Sequence, residues 1–236
     1  NQSHLFYGEL NGDVEFSGTS EGNGVLVKKG SGTTSFSGTF AHTGYTKVHD
    51  GILLLQEDAS LSGDSTVLIS SSTNQPTLDL GGTTQRAPFY NLHGGTLKNG
   101  TIGSAEINVD RRTNNVINGI DGEPVGVKAS SGNDFLDDVG LTFVGSNKFK
   151  SLQIDRATVL IQESANVELS GHVSGGNFVS KEATFELSDK LDVQGSLTVG
   201  GSIDLGAGND LMRIGTRALV SSSGGVDGGS GDFDVF

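Results

Sequence analysis

The most constraining feature of this sequence is a two-residue hydrophobic alternation that Gly, Ser, Asn or Asp interrupts at short intervals. In KFKSLQIDRATVLIQESANVELSG, apolar residues alternate at Leu152 and Ile154 and again at Val159 and Ile161. Alternation places every second side chain on one face, so each stretch predicts a short strand with one buried face. No stretch has the i, i+3, i+4, i+7 spacing of an amphipathic helix, and we expect an all-β protein.

The spacing of these strands favours a parallel β-helix over a sandwich of hairpins. Strands recur about every seven or eight residues, about three to a period in the low twenties. Two-residue Asn-Gly or Asp-Gly hairpin turns are few, and most breaks are looser corners of Gly, Ser and Asn. We predict coils of three strands, roughly ten in number, stacked about 4.8 Å apart.

The glycine content agrees with such corners. Glycine contributes 37 of the 236 residues, whereas proline contributes 3 and hydrophobic residues make up 33%. Tight bends need positive φ, which glycine adopts freely and asparagine tolerates, and stacked bends leave little room for side chains. A wall with one buried face also explains the low hydrophobic fraction.

Charge and cysteine content exclude several classes of function. The formal net charge of −13 disfavours nucleic acid and anionic membranes, which need clustered Lys and Arg. The chain has no cysteine, hence no disulfide scaffold and no thiolate metal site. No apolar run approaches the roughly 20 residues of a membrane span. The opening NQSHLFYGEL lacks the pattern of a signal peptide.

We expect a single domain over residues 1–236, with one interruption. The segment 107–134 is polar and contains Pro124, and it predicts a loop projecting from the rod at about 107–134. Loops on rigid scaffolds often carry binding residues. A partner-binding group is therefore predicted there, with a merely solvated loop as the alternative; its members are Asp110, Arg111, Arg112, Asn114 and Asn115.

Three segments resemble the passenger domains of bacterial autotransporters of the AIDA type. The stretch from Gly24 to Leu55, with its Gly30-x-Gly32, Phe36-Ser37-Gly38 and Gly51-x-Leu53-x-Leu55, is similar to the passenger-associated repeat. The segments 77–102 and 200–215 resemble other passenger coils. The resemblance implies a right-handed parallel β-helix exported to the cell surface through the outer membrane of a Gram-negative bacterium. The C-terminal translocator barrel of the family is not in this sequence.

Passengers of this family act as adhesins, aggregation factors, cytotoxins or proteases. We expect a non-enzymatic surface rod for adhesion or bacterial self-association, without a cofactor and without inserting into a membrane itself. Its partners would be a host-surface protein, a glycan or another passenger. One alternative is the β-helical stalk of a protease or toxin passenger; a second is a β-helical polysaccharide-active enzyme.

Two apparent catalytic patterns have simpler interpretations. Ser62-Gly63-Asp64-Ser65 superficially matches a Gly-Asp-Ser protease site, but Thr66 stands where glycine is expected, and a corner between coils is the better interpretation. Asp137 and Asp138 form an adjacent acidic pair of the kind polysaccharide hydrolases use. The accompanying Gly-His-Gly and Arg-x-Lys patterns are missing, since His172 is followed by Val173.

Metal binding is not predicted either. The string 205–212 resembles one calcium-binding nonapeptide, but the next similar string, 228–232, lies about one coil away rather than adjacent. The five histidines have no metal-ligand spacing and are predicted to lie at the surface: His4, His42, His49, His93 and His172.

Overall fold

A computed structural model gives the fold of the chain. It describes residues 6–9, 13–70, 74–103, 105–110, 114–130, 139–161 and 165–169, and, further along, 173–180, 184–187, 190–193, 196–199, 203–204, 211–214, 219–222 and 226–227. These residues form strands, turns and bends, and no helix.

The strands of the first half are β1 Phe6–Glu9, β2 Val14–Gly22, β3 Leu26–Lys29, β4 Thr33–His42, β5 Thr46–Val48, β6 Ile52–Leu55, β7 Val67–Ser70, β8 Thr77–Asp79, β9 Thr84–Gln85, β10 Phe89–His93, β11 Thr96–Ile102 and β12 Glu106–Val109. Those of the second half are β13 Asn115–Ser130, β14 Val139–Val144, β15 Ser146–Ile161, β16 Asn166–Leu169, β17 Val173–Ser180, β18 Thr184–Leu187, β19 Lys190–Val193, β20 Ser196–Val199, β21 Ile203–Asp204, β22 Leu211–Ile214, β23 Leu219–Ser222 and β24 Val226–Asp227.

The strands pair in parallel with strands about 20 residues away, which makes the fold a β-solenoid. One line of paired residues runs through Leu26, Thr46, Val67, Tyr90, Ile107, Val127 and Leu152. A second runs through Thr34, Leu53, Leu78, Leu97, Ile117 and Phe143. The prediction of an all-β fold of stacked parallel strands is confirmed.

The interior follows from the alternation in the sequence. In β7, Val67 and Ile69 are buried whereas Leu68 and Ser70 are only half-buried. Other strands repeat this pattern, so the inward rows of successive coils form one continuous hydrophobic core. Aromatic rings stack within this core, with the centroids of Phe16 and Phe36 5.5 Å apart.

Glycine is required where the backbone of one coil lies very close to the next, both inside a strand, as at Gly38 of β4, and at a bend, as at Gly44. Gly38 pairs with Gly18, and a Cβ atom at Gly38 would overlap the carbonyl oxygen of Gly18. A Cβ atom at Gly44 would likewise overlap the carbonyl oxygen of Gly24. The close approach of two backbones therefore excludes any side chain there, as predicted from the stacking of bends.

Most of the segment predicted as a projecting loop belongs to the solenoid wall. Within 107–134, the residues up to Val109 belong to β12, and β13 spans Asn115–Ser130. Both strands pair in parallel with neighbouring coils, and they pair with each other from Glu106 to Val109. The sequence is misleading here because polar side chains occupy the outward positions of β13 while Ile117, Ile120 and Val127 point inward.

Candidate binding face

One side of the solenoid carries exposed aromatic rings in register. It is the outer surface of β5, β7, β10 and β12 together with the residue before β5, and we call it the Tyr45–Phe89 face. Its inward neighbours are fully buried, so the alternating outward side chains form the surface: Tyr45, Lys47, His49, Leu68, Phe89, Asn91, His93 and Asn108.

Tyr45 and Phe89 stand on one line along the stacking direction. Tyr45 immediately precedes Thr46, and Phe89 immediately precedes Tyr90. Thr46 and Tyr90 both pair with Val67, which lies in the coil between them. The backbone positions of the two residues are therefore separated by two strand spacings, about 10 Å. Tyr45 is 45% exposed and Phe89 44% exposed, and among the other large hydrophobic residues with described burial only Val14, at 37%, is also exposed.

Apart from Leu68, polar groups occupy the rest of this face. The Nδ2 group of Asn108 donates a hydrogen bond to Oδ1 of Asn91, 3.2 Å away, across neighbouring coils. At the far margin, Nε2 of His93 lies 2.8 Å from a carboxylate oxygen of Asp110. The face therefore combines flat apolar rings with amide donors and acceptors held in place.

A second histidine–aspartate contact lies at the same margin. Nδ1 of His49 lies 2.7 Å from a carboxylate oxygen of Asp50, whose other oxygen accepts a hydrogen bond from Asn74. His49 directly follows Val48, and His93 directly follows Leu92. Val48 and Leu92 both pair with Ile69, which lies in the coil between them. The two histidines thus repeat the two-coil spacing of the aromatic rings.

Of the five predicted partner-binding residues, the three that the structure describes do not form an exposed group. Asn114 is exposed, and its backbone carbonyl accepts a hydrogen bond from Gln75. Asn115 is fully buried: its Oδ1 accepts from the backbone N–H of Gly94 and its Nδ2 donates to the carbonyl of Gly140. Asp110 contacts His93, and Arg111 and Arg112 lie outside the described residues. Asn115 therefore ties three coils together and is not available to a partner.

The Ser65 region contains a buried hydroxyl–histidine cluster. Nε2 of His42 lies 3.0 Å from Oγ1 of Thr46 and 3.5 Å from Oγ of Ser65, and the three side chains are almost completely buried. Burial lowers the pKa of His42, opposed in part by a backbone hydrogen bond at Tyr45. A substrate carbonyl has no route to Ser65, and its distance to His42 is long for proton transfer.

The prediction that all five histidines are surface residues is wrong for His42, which is 1% exposed. Its hydrogen-bond partners are Thr46, four residues further on, and Ser65, in the next coil, so the buried ring is not left without polar partners. His49 and His93 are half-buried, and His4 and His172 lie outside the described residues.

Lys28 is another buried polar residue at a corner. Its Nζ donates to the carbonyl oxygens of Gly30 at 2.7 Å, Lys29 at 3.0 Å and Asp50 at 3.1 Å. Burial lowers the pKa of Lys28, while the nearby charge of Asp50 raises it. Three carbonyl acceptors satisfy the three donors of an ammonium, so Lys28 closes this corner instead of facing a ligand.

The remaining predicted motifs lie wholly or mostly outside the described residues. Asp137, Asp138 and the string 228–232 lie outside the described residues, as does most of 205–212. Among the residues that the structure does describe, no cluster of three or more His, Asp or Glu could hold a metal ion. Within the same residues, no helix has the length and hydrophobicity needed to cross a membrane.

Comparison with known proteins adds no relative: no family model, no curated protein and no solved structure matches this chain.

Sequence reasoning missed the aromatic pair and the buried His42 cluster. A signal for the pair exists, because Tyr45 and Phe89 are separated by about two coil periods and each precedes an alternating strand. No comparable signal exists for His42 and Ser65, since a corner serine and a strand histidine have no fixed spacing.

Proposed function

We propose that this chain is part of an autotransporter passenger that acts in adhesion or bacterial self-association as a rigid rod at the cell surface. In this proposal it is a right-handed parallel β-helix of roughly ten three-strand coils. The sequence resemblance supports the family, and the parallel register lines support the coil arrangement. Crossover connections between parallel strands are right-handed in about 98% of cases, which supports the handedness.

The observation that carries the adhesion role is the Tyr45–Phe89 face. Exposed aromatic rings with flanking amides are what a recognition surface needs, because rings bury apolar area while amides supply directional hydrogen bonds. A flat sheet face holds these groups at fixed spacing without a loop that must become ordered on binding. The partner would be a host-surface protein, a glycan or a second passenger.

A non-enzymatic role is supported by the burial of the Ser65 cluster. A serine nucleophile must meet both a base and the scissile carbonyl, and Ser65 and His42 are each 1% exposed. The proposal assigns these residues to the stability of the corner and assigns function to the outer surface.

Display on bacteria tests the proposal. The chain is fused to a translocator barrel and exported, and clumping and host-cell binding are compared with cells displaying the barrel alone. We expect clumping or binding only with the fused chain, and less of it when Tyr45 and Phe89 are both replaced by alanine. Equal behaviour of the two cell populations, at equal surface density of barrel, would contradict the adhesion role.

A further inference from the structure

The Tyr45–Phe89 face has a repeat that matches a linear polymer lying along the solenoid axis. Strands stack about 4.8 Å apart, which is close to the advance of one sugar unit in an extended polysaccharide. Tyr45 and Phe89 are two strand spacings apart on one line. A chain running along this line would therefore present alternate sugar rings to the two aromatic side chains.

Aromatic rings suit the apolar faces of sugars. The C–H face of a pyranose ring packs flat on an aromatic ring, and burial of apolar area provides the driving force. Tyr45 and Phe89 retain about half of their surface for such contact. Thr66 lies between them in the intervening coil and is smaller, so a sugar at that level has space without a stacking partner.

The neighbouring row supplies hydrogen-bonding groups for hydroxyls. Asn91 is paired with Asn108 and with Leu68 in register, and both asparagines face outward. Their mutual hydrogen bond fixes the two amides and uses one donor and one acceptor. Because a primary amide offers two donors and an acceptor oxygen, further N–H groups remain for a ligand.

The negative charge of the chain favours neutral polymers over anionic ones as ligands. The chain carries a formal net charge of −13, and two acids lie beside this face: Glu106, which pairs with Phe89, and Asp110, which contacts His93. The face itself carries one lysine, Lys47. Such a field repels uronates, sialylated chains and nucleic acids. A protein partner is disfavoured because the centre of a stable protein interface is a contiguous apolar area, whereas Thr66 separates these two rings.

We propose that the Tyr45–Phe89 face binds a neutral, extended polysaccharide along the stacking axis. In this arrangement Tyr45 and Phe89 stack on sugar rings, and Asn91 and Asn108 bind hydroxyl groups. The proposal rests on the adhesion role and makes it specific, naming the class of ligand. Both rings are reached only by a chain of at least three sugar units.

Calorimetric titration of the full 236-residue chain tests this proposal. The probes are cellohexaose, mannohexaose and chitohexaose as neutral chains, their disaccharides, and hexaguluronate as an anionic chain. We expect at least one neutral hexasaccharide to bind, and its disaccharide to bind about tenfold more weakly because one ring contact is lost. Hexaguluronate is expected not to bind.

Variants assign the binding to this face. Y45A and F89A are each expected to weaken binding of the hexasaccharide about tenfold, and Y45F about twofold at most, because the ring is retained. Leu54→Ala, at an outward position of β6, is the matched control and should bind as the wild type does. Thermal unfolding of each variant confirms that the fold is kept.

Several results would overturn the proposal. These are no binding of any neutral hexasaccharide, unchanged binding by the double alanine variant, or preference for hexaguluronate. Self-association in sedimentation that the double variant loses, without sugar binding, would identify a second copy as the occupant. Sugar binding without cell adhesion would instead contradict the proposed function alone, and adhesion without sugar binding would contradict this inference alone.

Discussion

At the residue scale, buried side-chain amides hold the corners of the solenoid. Asn115, Asn147 and Gln85 each hydrogen-bond to backbone groups of a neighbouring coil, and all are at most 1% exposed. These bonds satisfy backbone groups where the strand ladder is interrupted by a bend. The sequence placed Asn115 in a partner-binding loop and did not indicate that these amides are buried links between coils.

Replacing Asn115 tests this role. Asn115→Ala leaves the N–H of Gly94 and the carbonyl of Gly140 without their partner, and we expect a loss of about 2–4 kcal/mol in the free energy of unfolding. Asn114→Ala, next to it and exposed, should change it by at most about 0.5 kcal/mol. Urea denaturation measures both, and equal effects would show that Asn115 is not a link between coils.

His42 gives the chain a predictable pH dependence. Burial lowers the pKa of His42 in the folded protein, so the unfolded chain takes up a proton first as pH falls. The contribution of neutral His42 to the free energy of unfolding is fully present above about pH 6.5 and is lost as the pH falls below that value. Urea midpoints should therefore drop more for the wild type than for His42→Gln between pH 8 and pH 5.5. Parallel pH profiles would refute this assignment.

At the element scale, two-residue alternation determines which face of each strand is buried. The alternation at Leu152 and Ile154 and at Val159 and Ile161 lies within β15, because a solvated outer row and a dry inner row demand different side chains. It did not identify β13, whose segment was predicted as a loop. It did not identify the outer rows that matter for binding. Apolar residues such as Leu68 and Phe89 also occupy outward positions, so alternation alone cannot separate core from recognition surface.

Strand β7 offers a matched pair for this distinction. Ile69→Ala removes a fully buried side chain, and we expect a loss of about 2–5 kcal/mol in the free energy of unfolding. Leu68→Ala, the adjacent outward residue, should cost about 1 kcal/mol or less, because its side chain is already partly in water. Chemical denaturation distinguishes them, and a larger effect at Leu68 would mean that the register of β7 is inverted.

At the scale of the whole molecule, a solenoid is close to one-dimensional. Each strand contacts strands about one coil away, so stability is a sum of coil and interface terms, and damage to one coil should stay local. This architecture also suits a rod that presents one face along its length.

Gly38→Ala tests this locality. A Cβ there would overlap the carbonyl of Gly18, so we expect a loss of at least about 2 kcal/mol in stability. Hydrogen exchange should accelerate in β4, which contains Gly38, and in β2 and β6, which pair with β4. It should remain unchanged in β11 and β13. Gly63→Ala, at an exposed turn with space for a Cβ, is the control. Uniform acceleration over the whole chain would contradict local coupling.

The sequence by itself determined the all-β class, the stacked parallel strands and the need for glycine at the bends. These depend on local rules, because alternation and close backbone approach are properties of a few neighbouring residues. Only the tertiary structure decided which residues of different coils meet, as His42 meets Ser65 and Asn115 meets Gly94, and that Tyr45 and Phe89 are aligned two coils apart. The reason is that coils differ in length. Val67 pairs with Tyr90 and Tyr90 with Ile107, 23 and 17 residues further on, so residues inserted or lost at a corner shift the register that brings distant side chains together.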